Sequence, residues 1–157
     1  MTIEIDDQQQ EMQLPDALLA QVRQAMCAAL AAEGCPDNVE ASVLFMDDPS
    51  IAHLNGEFRG VEAPTDVLSF PMLEQFDYSQ APIDEETGRI YLGDVAISLE
   101  RASAQAEAFG HSLAREVAYL AVHSALHLVG YDHINEAQRE VMRKKEEAAL
   151  AAIGLVR

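Results

Sequence analysis

The stretch LAREVAYLAVHSALHLVG, residues 113–130, decides the architecture of this chain. It has the length and composition of a helix, and too little polar surface to lie against water, so it reads as a helix buried at the centre of the molecule. Such a helix needs other elements around it, and the flanking sequence supplies them. LERASAQAEAFG (99–110) precedes it and NEAQREVMRKKEEAALAAIG (135–154) follows, both helical in pattern. Near the start, Pro15 followed by DALLAQVRQAMCAALAAEG predicts a helix that begins at the proline and stops at Gly34. Leu18, Val22, Met26 and Leu30 recur there at helical spacing.

Strand signals occupy the earlier part of the chain. TIEID (2–6) alternates, VEASVLFM (39–46) is rich in strand formers, VLSF (67–70) is stopped by Pro71, and IYLGDVAIS (90–98) is a fourth candidate. Asp47 to Ser50 forms a turn or cap that opens a short helix, IAHLNGEF (51–58), and Met72 to Arg89 reads as a long loop or lid. Gly93 and Asp94 interrupt the last strand, where a glycine permits a bulge or a close backbone approach to a bound group. Strands early and helices late predict an α+β fold: one domain over residues 1–157, with a mixed four-stranded sheet packed by about five helices.

Acidic residues dominate the composition, with 27 Asp and Glu against 10 Lys and Arg, for a formal charge of -17 over 157 residues. That balance excludes histone-like binding to a polyanion, which depends on many cations releasing counterions, although a small positive site within an acidic surface remains compatible with it. The first residues lack the charge and apolar run of a secretory signal, and no long uncharged apolar stretch could span a bilayer. Cys27 and Cys35 are too few for a disulfide framework and read as small buried hydrophobes. A cytoplasmic setting without membrane contact is the expectation.

Three of the five histidines fall within HSALHLVGYDH, as His123, His127 and His133. The first two are four residues apart, so they share one helical face, and Gly130 can end the helix in a left-handed conformation that returns His133 toward them. Three imidazoles with a water would complete a tetrahedral zinc site, one ion per chain, with an open position. A structural zinc with a fourth protein ligand is the alternative. The spacing matches that of extended zinc peptidases, but Ser124 stands where their HExxH glutamate would be. Glu116, seven residues before His123, reads equally well as an orienting carboxylate or an exposed helix residue, and Asp132 as a turn residue or a carboxylate behind the ligands. Arg59 is the candidate catalytic residue, because developing negative charge needs a cation and a loop following a helix is where one can be presented. Thr65, Asp66 and Ser69 could join it in a phosphate or carboxylate pocket. The basic run 143–145 has acidic neighbours and reads as a solvated helix face.

HSALHLVGYDH resembles the zinc motif of the YbeY endoribonuclease family, whose usual form begins His-Gly, and LNGEFRGVEAPTDVLSFP (54–71) and YLGDVAISLE (91–100) resemble that family's other blocks. The resemblance implies a zinc-dependent, single-strand-specific endoribonuclease acting in 3′ end maturation of the small-subunit ribosomal RNA (16S rRNA) and in ribosome quality control. It places His123, His127 and His133 as metal ligands and Arg59 in catalysis. Single-stranded RNA is the implied partner, with the ribosome or small-subunit proteins beside it. Two further readings stay open: a zinc hydrolase of a peptide or small molecule, and a non-catalytic ribosome assembly factor with structural zinc.

Overall fold

Alternation in residues 39–46 sets the layers, because Val39, Ala41, Val43 and Phe45 are buried while the residues between them are only partly covered. In the computed structural model, which describes residues 1–73, 78, 79 and 81–155, this segment is β2 (Val39–Met46). Around it the chain runs β1 (Thr2–Asp7), α1 (Asp16–Ala32), α2 (Asp48–Arg59), β3 (Val67–Pro71), β4 (Ile90–Ser98), α3 (Leu99–Phe109), α4 (Leu113–Leu128) and α5 (Glu136–Ala152). The four-stranded sheet has the order β1-β2-β4-β3, with β3 antiparallel to β4 and the other pairs parallel. The fold is therefore α+β with a mixed sheet, as the patterning predicts.

Helix α4 is the central helix. On one side its Val117, Leu120, Ala121, Ala125 and Leu128 pack with α1 against the sheet. On the other, Ala118, Val122 and Leu126 meet Ala25 and Ala29 of α1 and Met142, Ala149 and Leu150 of α5. With apolar neighbours on both sides, it has no use for a polar stripe. Helix α2 covers the opposite face of the sheet, where Ile51 packs on Leu68 and Ala96.

Strand β4 changes parity partway along. Ile90 pairs with Val39, but Gly93 pairs with Ala41, so one extra residue is accommodated in the register between them. A one-residue slip turns side chains to the other face, and the bulge therefore lets Ile90, Leu92, Val95 and Ile97 all enter the same core. The close approach expected at Gly93 is to the neighbouring strand rather than to a bound group: a Cβ there would lie 2.2 Å from the Phe70 carbonyl oxygen, and φ is 142°. Gly93→Ala should accordingly destabilise the fold by roughly 3 kcal/mol in denaturant titrations, from backbone strain and overpacking together.

Two boundaries differ from the sequence expectation. Helix α2 starts earlier, because Asp47 accepts from the Ser50 N–H at 2.8 Å and Pro49 is tolerated in a first turn that needs no donor from it. Strand β3 extends through Pro71, which an edge strand accommodates. Part of the loop or lid expected over 72–89, residues 74–77 and 80, lies outside the described residues. Its end, 84–89, is a turn in which the Asp84 carboxylate accepts from the Glu86 and Thr87 N–H groups.

Candidate metal centre

The end of α4 is built to bring a histidine back. Tyr131 N–H donates to the Leu126 carbonyl at 3.0 Å and Gly130 N–H to the His127 carbonyl at 3.1 Å, the paired bonds of a Schellman ending. Gly130 takes the φ of 103° that this reversal needs. Beyond it, the Asp132 carboxylate accepts the His133 N–H at 2.8 Å, making Asp132 a turn residue that fixes the approach of His133. The three imidazoles of His123, His127 and His133 come together, with one nitrogen from each within 4.8 Å of the others.

Hydrogen bonding fixes which nitrogens face inward. His127 Nδ1 donates to the Tyr131 carbonyl at 2.8 Å, and His123 Nδ1 donates to the Glu146 carboxylate at 2.6 Å. Each ring then presents its Nε2 lone pair, and those two atoms stand 3.2 Å apart. Facing lone pairs repel unless a cation lies between them. An ion with tetrahedral bonds of about 2.0–2.1 Å would separate two ligand nitrogens by about 3.3 Å, close to the spacing present. Burial and the neighbouring His123 lower the His127 pKa, which keeps that imidazole neutral as a ligand must be. The residues fit a metal ion. Three imidazoles with no carboxylate among them suit a borderline transition metal better than magnesium or calcium.

Among the described residues, the cluster contains no fourth histidine, cysteine, aspartate or glutamate. Cys35 is buried beside Tyr78, with its sulfur 3.2 Å from the phenol oxygen, and burial raises the pKa of both thiols. Glu116 serves neither of the roles offered for it. It is buried and hydrogen-bonds His111, an interaction within the helical layer. The orienting carboxylate is Glu146 of α5, 3% exposed and 23 residues from the histidine it holds. No local spacing announces it, because it stands among several glutamates of an amphipathic helix. Glu146→Gln should weaken metal affinity roughly tenfold or more in competition titrations with a chelating dye, since a partner of this kind orients the ring and raises its basicity.

The histidines open onto a cleft of about 1070 Å³ that also receives Arg59, Thr65, Asp66 and Ser69. Its polar groups are not equally available. Asp66 accepts from the Val67 N–H at 2.8 Å and from Gln105 at 3.2 Å, and the Thr65 hydroxyl turns to Asp66. The Ser69 hydroxyl is hydrogen-bonded to that of Ser124, which is fully buried and ties α4 to β3. Arg59, exposed in the last turn of α2, has no hydrogen bond or ion pair among the described residues. Of the expected pocket, Arg59 alone keeps its donors uncommitted. In the basic run, Lys145 pairs with Glu33 at 2.7 Å and lies over the Tyr131 ring, while Arg143 and Lys144 are exposed.

The Endoribonuclease YbeY family model matches residues 4–154. Similar proteins include an Endoribonuclease YbeY of Pelotomaculum thermopropionicum, 45% identical over 157 residues and 100% of both chains. Another, of Caldanaerobacter subterraneus subsp. tengcongensis, is 46% identical over 159 residues and again 100% of both. Among solved structures, a Thermotoga maritima protein determined in solution superposes with a TM-score of 0.61, at 24% identity over 96% of this chain and 91% of that one, and so shares the fold. With the family model matching residues 4–154 and relatives 45–46% identical over their full length, this chain belongs to the YbeY endoribonuclease family.

Proposed function

We propose that residues 1–157 form one zinc-dependent endoribonuclease domain that cleaves single-stranded RNA and acts in 3′ end maturation of the small-subunit ribosomal RNA and in ribosome quality control. His123, His127 and His133 hold the ion in this reading, and Arg59 holds the scissile phosphate. One observation carries it: three imidazole nitrogens converge on a cleft in which an unpaired arginine also stands. Family membership supports the RNA substrate.

The chemistry a bound zinc would supply is Lewis acidity toward water and a phosphoryl oxygen. The chain's own contribution is orientation and charge. The Tyr131 carbonyl and the Glu146 carboxylate keep two rings in the ligating tautomer. Arg59 offers a planar, permanently charged fork to the phosphate oxygens, and it stabilises the charge that develops on them. The peptidase reading loses further support at Ser124. That position is buried against Ser69 and does not line the cleft.

Purified protein should contain one zinc per chain by elemental analysis. Chelation should abolish cleavage of single-stranded RNA, and added zinc, unlike added magnesium, should restore it. Unchanged cleavage after verified zinc removal would overturn the reading. No helix among the described residues is long and apolar enough to cross a membrane; a cytoplasmic location, with ribosomal components as partners, belongs to the same proposal.

A further inference from the structure

Phe58 precedes Arg59 at the end of α2, and it is 64% exposed. Its ring meets Phe70 of β3 edge to face, with centroids 5.1 Å apart and an interplanar angle of 65°. Both phenylalanines line the cleft that holds Arg59 and the histidines. An exposed phenyl ring that is braced by a second ring, beside Arg59, whose guanidinium has no partner among the described residues, is a built feature with no burial to explain it.

We infer that Phe58, braced by Phe70, is a stacking platform for a base of single-stranded RNA next to the phosphate that Arg59 holds. The inference rests on the endoribonuclease reading above. A chain of net charge -17 gains little from counterion release, so affinity for RNA has to come largely from contacts indifferent to charge. Stacking on an aromatic side chain is such a contact. Every base has a π face, so the platform tolerates any sequence. It is useless to a base already stacked and paired in a duplex, so the same contact selects single strands.

The test compares wild type, Phe58→Ala, Phe58→Trp and Phe109→Ala on a short single-stranded RNA, all zinc-loaded. Phe109 is 69% exposed but lies outside the cleft, which makes it the control. Phe58→Ala should raise KM about 5- to 140-fold, the range expected for losing one stacked base, with kcat and zinc content unchanged. Phe58→Trp should retain the wild-type KM, and Phe109→Ala should match wild type. In a series of RNAs with one abasic site each, wild type and Phe58→Ala should become alike at one position. An unaltered KM in Phe58→Ala, failure of tryptophan to substitute, or the absence of any such position would overturn the role of Phe58. A wild-type protein that cleaves no RNA would overturn the endoribonuclease reading itself, a separately visible result.

Discussion

His127→Ala is expected to lose zinc and RNA cleavage together, with metal affinity falling by more than about 100-fold, the upper end of what loss of an outer hydrogen-bond partner alone costs. Of the three proposed ligands His127 gives the cleanest experiment. Removing His123 would leave Glu146, 3% exposed, as a buried carboxylate without its partner, which is itself strongly destabilising. Removing His127 deprives only the Tyr131 carbonyl of a donor, and the Schellman ending is held by backbone bonds that the substitution leaves in place. Elemental analysis, circular dichroism and a cleavage assay on one preparation check the result. Native spectra with absent zinc and absent cleavage are expected. A variant that retains stoichiometric zinc and full activity would remove His127 from the centre.

Arg59→Ala should lower kcat about 100- to 1,000-fold, the usual cost of deleting one donor that stabilises developing charge. Its structural cost should be small. The side chain is exposed, has no partner among the described residues and contributes only a favourable charge at a helix C-terminus, so the melting temperature should hardly move. Zinc content should also stay at one per chain. Arg59→Lys should recover activity only in part, because an ammonium keeps the charge and loses the bidentate fork. The same variant separates catalysis from scaffolding: cells whose copy carries Arg59→Ala should accumulate small-subunit RNA with an unprocessed 3′ end. Full processing in those cells would favour an assembly factor with structural zinc.

Much of this was legible because it is local. Two histidines four apart share a face of any helix, and Gly130 permits the reversal that a Schellman ending requires, so eleven consecutive residues specify the convergence of three rings. The apolar background of 113–130, broken only by a few specific polar residues, likewise announces a helix enclosed on both sides. Glu116 shows where local reasoning misleads. It shares a helical face with His123 by spacing, yet its carboxylate meets His111, and the bond to His123 comes from Glu146 on another helix.

The kind and order of the elements, the histidine cluster and the candidacy of Arg59 could be read along the chain, because periodicity, turn chemistry and residue type act over a few neighbours. The tertiary structure alone decided the sheet order, the bulge at Gly93, the Glu146 carboxylate behind His123, the Ser69 bond to Ser124 and the Phe70 brace under Phe58. Each of these joins segments distant in sequence. Their pairing follows from how whole faces bury against one another, a property of the packed molecule that no short stretch of residues carries.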